Sequence, residues 1–471
     1  MTTTLSYDAT PRARGALRLR QFARRRGSLA VLLCALSLPY AAGAVAQRTS
    51  SEPKTLRRLH DPVVIHTSLL GRLSDHRTSS YRLYAAQSGD IEPIPFQFDE
   101  RGRDGQLVLA NDGADDEFTF DDDDELAFMA KDSGDRVDAD RLPGDAALEI
   151  EVADAGRGER GWAYLVHFSG PAPPRSPIRY AVFDAARNEV RARFYEVCYS
   201  RDQGNFVTGL SVAAAAGGTG RRLVDRMRIR ISPTFSLLFT TWTLSLTEKS
   251  FLVTNEAVKN GPVRAVRRVR ESLDLGRFLP DVPNGTVTTY YYFSSFVTPA
   301  TFSIPALALQ ALRHFDLETI DEFGAEAADV RYSDEASQGL RLGGSDPPKS
   351  SDRDHDWWVA SGSAGNFLHA MIIPKQWQSW GITRGAAFAG GGGPGAGYSL
   401  VGMTNLRRAG TYEIKSAVIV LPRAYQSGDE TEALAMLRQP LQVHVRALSR
   451  SFLETRLLGP AERSRSDVAG N

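Results

Sequence analysis

Alternation of apolar and polar residues with a period of two is the feature that most constrains this chain. The clearest segments are 148–152, where Leu, Ile and Val alternate with Glu149 and Glu151, and 226–231, where Met and Ile alternate with arginines. The pattern recurs at 62–66, 80–85, 162–168, 263–270, 287–293, 367–373, 412–421 and 441–447. A period of two indicates half-buried β-strands, and turn residues separate most of these segments.

Helical patterns are few. The strongest covers 429–438, where Asp429 and Glu432 could form a capping box and Pro440 stops the helix; 304–315 is a weaker candidate. Segments 357–361 and 366–373, joined by a Gly-rich turn, predict a β-hairpin. The sequence therefore predicts an all-β fold of two or more antiparallel β-sandwich units with few short helices.

The length of 471 residues and the hydrophobic fraction of 42% provide material for real cores and exclude a disordered chain. The run Gly170-Pro171-Ala172-Pro173-Pro174 cannot pair in a central strand, so we expect a boundary there. The predicted division is a signal peptide at 1–46, an N-terminal β-sandwich domain with an acidic loop at 47–170, a larger β-sandwich domain at 178–460 and a flexible tail at 461–471.

The N-terminus has the pattern of an export signal. Seven arginines and one acid precede an apolar run at 29–38, and Ala44-Val45-Ala46 precedes the expected cleavage before Gln47. An uncleaved anchor is the alternative, and Arg25-Arg26 bears a loose similarity to a twin-arginine leader. We predict a periplasmic or secreted protein that has no integral membrane domain once the leader is cleaved.

Cleavage changes the charge and the thiol content of the protein. It removes seven of 56 basic and one of 56 acidic residues, which leaves 49 basic and 55 acidic residues. A net charge near −6 argues against nucleic acid as a partner, because phosphate binding needs a basic excess. Cys34 lies in the leader, so Cys198 is the remaining thiol, and we expect it to be buried and unreactive.

Nine acidic side chains and no basic one occur in the fifteen residues 111–125. Ca²⁺ is a hard cation that takes carboxylate oxygens in irregular loops. The predicted metal ligands are Asp112, Asp115, Asp116 and Glu117, with a solvated acidic loop as the alternative. Ca²⁺ is the one cofactor predicted.

Basic residues predict an anion site on the strand at 263–270. Alternation places Arg264, Arg268 and Arg270 on one face, where planar guanidinium groups could bind carboxylates of an anionic ligand. Pairing with acids on neighbouring strands is the alternative. Arg226, Arg228 and Arg230 raise the same two possibilities.

Aromatic and histidine side chains complete the predicted ligand site. Tyr291 and Trp357 come from aromatic clusters that could stack on sugar rings, although most aromatic residues are core. His355 lies between Asp354 and Asp356, carboxylates that could favour proton transfer by the imidazole; a polar loop before a strand is the alternative. The predicted ligand-binding residues are Arg264, Arg268, Arg270, Tyr291, His355 and Trp357, and no catalytic residue is assigned.

Three short stretches resemble a known group of proteins. Pro93-Ile94-Pro95-Phe96-Gln97-Phe98-Asp99, Asp124-Glu125-Leu126-Ala127-Phe128 and Asn260-Gly261-Pro262-Val263-Arg264-Ala265 are similar to secreted bacterial β-sandwich proteins of the galactose-mutarotase-like, polysaccharide-lyase-associated kind. The resemblance implies a carbohydrate ligand in a sandwich cleft. In the enzymatic members, it implies proton abstraction beside a uronate carboxylate.

The sequence thus predicts an exported protein that binds or acts on carbohydrate, with an anionic polysaccharide as the expected ligand. The alternative is a non-catalytic scaffolding or assembly protein of the cell envelope, whose sandwich surfaces bind other proteins. A groove in which aromatic faces, arginines and a Tyr or His converge would favour carbohydrate, whereas a flat apolar patch would favour the scaffold.

Overall fold

Strands form where the sequence alternates, because a pleated strand places successive side chains on opposite faces. In the computed structural model, the first fourteen strands of the described chain are β1 (Pro62–His66), β2 (Tyr81–Gln87), β3 (Asp90–Pro93), β4 (Phe96–Asp99), β5 (Glu125–Met129), β6 (Ala146–Asp154), β7 (Glu159–His167), β8 (Ala181–Asp184), β9 (Glu189–Ala192), β10 (Tyr195–Tyr199), β11 (Val207–Val212), β12 (Arg222–Leu237), β13 (Thr240–Thr243) and β14 (Leu246–Thr247). The others are β15 (Phe251–Asn260), β16 (Ala265–Leu273), β17 (Val282–Tyr291), β18 (Ser295–Ile304), β19 (Leu312–Phe323), β20 (Arg331–Ser333), β21 (Leu340–Arg341), β22 (Trp357–Gly362), β23 (Gly365–Ile372), β24 (Thr383–Phe388), β25 (Gly395–Val401), β26 (Gly410–Val420) and β27 (Gln442–Leu448). The predicted all-β fold is confirmed, and each strand predicted above overlaps an observed one.

The structure describes residues 52–73, 76–109, 119–201, 206–237, 239–273, 282–342, 348–389 and 393–448. The predicted signal peptide at 1–46 and the predicted tail at 461–471 lie outside these ranges. Asp112, Asp115, Asp116 and Glu117, the predicted calcium ligands, also lie outside them.

Within these ranges there are three α-helices, α1 (Ala306–Ala311), α2 (Lys375–Ser379) and α3 (Asp429–Arg438). The prediction for α3 is confirmed at both ends, but Gly428 is its N-cap, and the Asp429 carboxylate accepts the backbone N–H of Gln426 instead of forming a capping box. The prediction of a helix over 304–315 is wrong beyond Ala311, because Leu312 begins β19 and pairs with β12.

The N-terminal part is a sandwich of two antiparallel sheets. One has the strand order β1-β5-β4, and the other has the order β27-β6-β7-β2-β3. Inward side chains of both sheets form one core, to which six strands contribute Ile65, Leu83, Phe98, Phe128, Ile150 and Leu165. Burial of these apolar surfaces holds the two sheets together.

The larger part is built from a ten-stranded and a nine-stranded antiparallel sheet. The ten-stranded sheet runs β24-β25-β19-β12-β11-β10-β9-β8, with β13 and β14 also paired to β12, and the other runs β15-β16-β17-β18-β26-β23-β22-β20-β21. The core between them contains Tyr195, Phe323 and Tyr398 from the first sheet and Tyr291, Trp358 and Phe367 from the second. Helix α3 covers the other face of the nine-stranded sheet through Ala433, Leu434 and Met436.

The last strand returns to the beginning of the fold. Strand β27 pairs with β6 from Gln442↔Ala153 to Leu448↔Ala147. A strand from the predicted larger domain (178–460) therefore completes the sheet of the predicted N-terminal domain (47–170). The predicted domain division itself stays a prediction.

Among the described residues, no helix combines the length and the apolar character that crossing a lipid bilayer requires.

The predicted hairpin is confirmed as β22 and β23, which pair from Trp357↔Ala370 to Gly362↔Gly365. Gly365 has a φ of 142°, a left-handed conformation that side-chain-bearing residues rarely adopt. A Cβ there would also lie 2.4 Å from the Cβ of Val212 on the facing sheet, so glycine is required twice over at this turn.

We predict that Gly397→Ala destabilises the larger sandwich. A Cβ at this position of β25 would lie 1.8 Å from the carbonyl oxygen of Thr319 on β19. Overpacking of this kind lowers the free energy of unfolding by about 1–3 kcal/mol. Urea denaturation measures it, with Gly170→Ala, which has open space around the new methyl group, as the control. Equal stabilities of the two variants would contradict the packing argument.

We also predict that stability falls as the pH drops from 6.5 towards 4. His60 is 4% exposed and its Nδ1 lies 2.9 Å from the Ser294 hydroxyl; burial lowers the pKa of His60 from 6.5 to about 4. The unfolded chain therefore binds a proton in this window that the folded chain does not, which lowers stability by up to about 1.4 kcal/mol per pH unit. His60→Asn should reduce the slope in urea titrations at several pH values, and an unchanged slope would show that His60 is not its source.

Candidate functional site

Arg264 lies at the junction of the two sandwiches and is buried. Its side chain is 2% exposed. Its guanidinium group contacts Asp99 at the end of β4, with Nη2–Oδ2 at 2.7 Å, and Glu125 at the start of β5, with Nη2–Oε2 at 2.5 Å. Arg101 also contacts Glu125, and Lys259 Nζ lies 3.4 Å from Asp99 Oδ1. We call these five residues the junction cluster.

Hydrogen bonds complete the junction cluster. The side-chain oxygen of Gln97 accepts the backbone N–H groups of Val263 and Arg264 at 2.9 Å each, and its amide nitrogen donates to Asp99 at 2.8 Å. Gly261 leaves space for this amide, because a Cβ there would lie 2.1 Å from Gln97 Oε1. The three stretches that carry the family resemblance therefore meet at one buried site.

The junction cluster keeps Glu125 ionised. Burial by itself raises the pKa of Glu125, but the charges of Arg264 and Arg101 outweigh burial and lower the pKa to about 2. Arg264 has its carboxylate partners within the protein, which is the arrangement that neutralises buried charge.

The arginines of β16, which follow Arg264, divide between its two faces. Arg268 donates from Nη2 to the carbonyl oxygen of Leu107 at 2.9 Å, and Arg270 is exposed. Arg267, on the opposite face, contacts Glu256 at 2.5 Å. On β12 the cross-strand alternative holds, because Arg226 and Arg228 pair with Glu322 and Arg230 pairs with Glu318 on β19.

Two predicted aromatic ligand residues lie in cores. Tyr291 is 0% exposed and contacts the rings of Tyr199 and Phe296. Trp357 is 4% exposed and packs in the core beneath α3. The structure therefore does not bring Arg264, Tyr291, Trp357 and His355 together in one cleft, and the binding role predicted for the six residues stays a prediction.

In the described part of the acidic segment, the carboxylates of Asp124 and Glu125 are bound by protein groups. The Asp124 carboxylate accepts backbone N–H groups of Arg101 at 2.8 Å and Asp121 at 2.9 Å, and Glu125 belongs to the junction cluster. Calcium binding by Asp112, Asp115, Asp116 and Glu117 stays a prediction.

His355 lines a cavity of about 150 Å³ between the β20–β21 pair, the loop 348–355 and β24. The imidazole stacks on Tyr398 with ring centroids 5.4 Å apart, which holds it in place. Its Nδ1 lies 3.2 Å from the carbonyl oxygen of Arg353. When Nδ1 carries the proton and donates there, Nε2 presents a lone pair towards the Tyr332 hydroxyl, 3.5 Å away.

Tyr332 is the second buried polar group of this cavity. Its hydroxyl donates to Asp334 Oδ2 at 2.7 Å, while Asp334 Oδ1 accepts the backbone N–H groups of Ala336 and Ser337 at 2.8 and 2.6 Å. Burial and the neighbouring Asp334 carboxylate raise the pKa of Tyr332. The phenol therefore stays protonated and the Asp334 carboxylate is largely occupied.

Some charged groups that line the cavity are paired within the protein, and others are free to bind a ligand. Asp354 is held by Arg384 through two contacts of 2.9 Å; burial raises its pKa, and Arg384 lowers it by more. Lys349 and Arg353 line the same cavity, are exposed, and have no ion-pair partner among the described residues. Glu335 is the acid left facing them. We call this site the Tyr332 pocket.

Most residues of the Tyr332 pocket lack a signal in the sequence. Tyr332 belongs to a three-residue strand, which is too short to show alternation. Lys349 lies in a polar segment that shows no alternation. Asp354 and His355 were recognisable from the local cluster of charge.

A second group has the order of a hydrolase triad. Ser416 Oγ lies 2.8 Å from His369 Nε2, and His369 Nδ1 lies 3.0 Å from Asp321 Oδ2. Ser416 sits on β26, which is paired on both sides by β18 and β23. Its backbone N–H groups therefore serve the sheet and cannot form the oxyanion site that acyl transfer needs. The group connects the two large sheets, since Asp321 belongs to β19.

Cys198 is half-buried, not fully buried. Its Sγ lies near the carboxylates of Glu189 and Glu196, but Arg191 contacts both acids. Burial and these two acids raise the pKa of the thiol, which disfavours the thiolate that metal binding or nucleophilic attack requires.

No protein-family model matches the sequence, and no curated protein is detectably similar to it. Among solved structures, the chain is similar to an alpha-mannosidase from Enterococcus faecalis V583, with 9% identity and a TM-score of 0.42 over 85% of this chain and 45% of that chain. A protein in glycosyl hydrolase family 38 from Enterococcus faecalis matches at 9% identity and a TM-score of 0.41, over 85% of this chain and 46% of its own. The Slr1438 protein from Synechocystis sp. PCC 6803 matches at 12% identity and a TM-score of 0.34, over 54% of this chain and 100% of its own. The chain spans less than half of the two Enterococcus chains, and all three TM-scores are too low to carry an argument about activity.

We predict that Arg264→Met strongly destabilises the protein. The change leaves Asp99 and Glu125 buried without their main counter-charge, and breaking a buried ion pair in this way costs about 3–5 kcal/mol. Arg230→Ala, which removes a pair whose arginine side chain is 60% exposed, should cost about 0–1 kcal/mol. Urea denaturation compares the two, and a loss for Arg264→Met no larger than for Arg230→Ala would refute the structural role of the junction cluster.

Proposed function

We propose that this protein binds a carbohydrate bearing a carboxylate group, and that the Tyr332 pocket is the binding site. The observation that supports the proposal is that two acids of that pocket are bound by protein groups, whereas two of its cations have no ion-pair partner among the described residues. Asp334 and Asp354 are occupied by Tyr332 and Arg384, whereas Lys349 and Arg353 are available to a ligand. An incoming carboxylate would complete two charge-assisted hydrogen bonds there.

The remaining lining suits a polyhydroxyl ligand. The pocket offers donors at Lys349 and Arg353 and acceptors at Glu335 and His355. Phe388 adds a half-buried aromatic ring, which packs against Tyr332 with ring centroids 4.9 Å apart. A few convergent polar groups beside an apolar surface are typical of small-molecule sites.

The size of the pocket limits the ligand. Its volume of about 150 Å³ is below the roughly 300–1,000 Å³ of pockets that enclose drug-sized molecules. It suits one terminal sugar unit, with the rest of a chain outside. The resemblance to galactose-mutarotase-like proteins and the predicted export signal agree with a protein that meets polysaccharide outside the cytoplasm, and both remain part of the proposal.

Binding, not catalysis, is proposed. Eliminative cleavage of a uronate needs a base beside the carboxylate and an acid at the leaving oxygen. His355 could be such a base, but the Tyr332 phenol already donates its proton to Asp334. A pocket built to hold a carboxylate is the function that these contacts support best.

We expect oligouronates to raise the melting temperature of the protein, and the same oligosaccharides with reduced carboxyl groups to leave it unchanged. Lys349→Ala/Arg353→Ala should weaken oligouronate binding in calorimetric titration by about tenfold or more, since each removed charged hydrogen bond contributes about 1.5–3 kcal/mol. Arg407→Ala/Arg408→Ala, two exposed cations elsewhere, is the matched control.

Three outcomes would count against the proposal. They are no response to any uronate at millimolar concentration, an equal response to the reduced sugars, and an equal loss of affinity in the control variant. The same thermal assay with Ca²⁺ and then with chelator tests the predicted calcium site separately. A melting temperature that changes with neither Ca²⁺ nor chelator would contradict the predicted calcium site.

A further inference from the structure

An uncharged β-hairpin lies at one end of the ten-stranded sheet. The 17 residues from Ile231 to Thr247 contain no charged residue and no histidine. Those that the structure describes form the end of β12, part of the turn, and strands β13 and β14, which pair back onto β12. A surface segment of this length without charge is unusual in a chain whose charged fraction is 24%, and it therefore requires an explanation.

The two faces of the hairpin differ in chemistry. On one face Phe235 and Trp242 are cross-strand partners, with ring centroids 5.9 Å apart. On the other face the hydroxyl groups of Thr234 and Thr243 lie 2.8 Å apart, and Thr241 donates to Ser236 at 3.2 Å. The hydroxyl groups of the polar face thus bond to one another. On the apolar face, Trp242 is exposed and Phe235 is half-buried.

The apolar side chains at this end of the protein are exposed. Phe239 at the turn is 104% exposed and Trp242 is 36% exposed. Leu307 on α1 is 69% exposed, and α1 lies at the same end because it contacts β12 and leads into Leu312, the partner of Phe235. Exposed large apolar residues that cluster in this way mark an interaction surface.

We propose that this hairpin attaches the protein to the surface of a lipid bilayer, with Phe239, Trp242 and Leu307 entering the interfacial region. The hairpin side chains bear no charge, their hydroxyls pair with one another, and the large side chains left exposed are aromatic or aliphatic. A lipid surface requires no directional hydrogen bonds, and aromatic rings are favoured at the boundary between headgroups and acyl chains. The hairpin lies in the interface, because unpaired backbone groups cannot enter the hydrocarbon.

Charges beside the hairpin are compatible with a headgroup layer. Lys249 follows the uncharged segment and Arg313 follows Leu312, and both are exposed. Glu248 lies between the segment and Lys249, so the local charge is mixed. We therefore expect apolar burial to dominate binding, with a smaller contribution from anionic lipid.

The test is co-sedimentation of the chain from Gln47 onward with vesicles of phosphatidylcholine, alone or mixed with phosphatidylglycerol. The unmodified chain should bind both, and Phe239→Ser/Trp242→Ser should lower the partition coefficient by about tenfold or more, because two buried aromatic anchors are lost. Leu69→Ser/Ile178→Ser, which replaces residues that are 56% and 47% exposed elsewhere, should bind as the unmodified chain does. Urea denaturation confirms that both double variants are folded.

Other results would overturn the proposal. One is no binding to either vesicle, and another is an equal loss in the two double variants. A third is a concentration-dependent dimer in sedimentation velocity that Phe239→Ser/Trp242→Ser abolishes without any vesicle binding; β13 would then pair with a second copy through its free edge.

Discussion

The buried charges around Arg264 are the interaction on which the arrangement of the two sandwiches depends. Asp99 and Glu125 belong to the three-stranded sheet, while Arg264 directly precedes β16 of the nine-stranded sheet. Neither side can be buried without the other, because an isolated charge in this junction would lose its hydration without compensation. Apolar contacts among Met129, Val263, Tyr292 and Phe293 surround the same junction. Their nondirectional burial stabilises the junction, and the ion pairs specify its geometry.

The end of the described chain also belongs to the small sandwich. Strand β27 completes the small sandwich at the edge of β6, so the last described strand lies in the same sandwich as the first, in the sheet opposite β1. The larger sandwich encloses its polar Ser416–His369–Asp321 link in the same way as the junction encloses its charges, with every partner supplied by the protein. The Tyr332 pocket and the β12–β13 hairpin differ from these two interior groups. The pocket leaves cations exposed to a partner, and the hairpin leaves aromatic rings exposed. That contrast between satisfied interior groups and unsatisfied surface groups is why function is proposed at the latter two sites.

Arginine illustrates how one residue type takes several roles in this fold. Arg264 is a buried structural ion, Arg226 and Arg228 are cross-strand partners of Glu322 on the sheet surface, and Arg353 faces a cavity. Alternation along a strand correctly separates Arg267 from Arg264 and Arg268, because facing is a local property. It does not distinguish a core-facing from a ligand-facing side, because that depends on which sheet lies opposite.

Sequence patterns are enough to establish the all-β class, the positions of the main strands, the hairpin at β22–β23 and the bounds of α3. These depend on the backbone period and on turn chemistry, which act over a few residues. Tertiary structure alone decided that Arg264 meets Asp99 and Glu125, that Tyr291 and Trp357 point into cores, and that Tyr332 faces His355. The contacts of Arg264 and of Tyr332 join residues from separate strands or loops. The burial of Tyr291 and Trp357 is set by the surface that packs against each strand, not by the strand itself. Local patterns carry no information on that choice, so the fold class could be predicted from the sequence, whereas of the Tyr332 pocket only Asp354 and His355 could be.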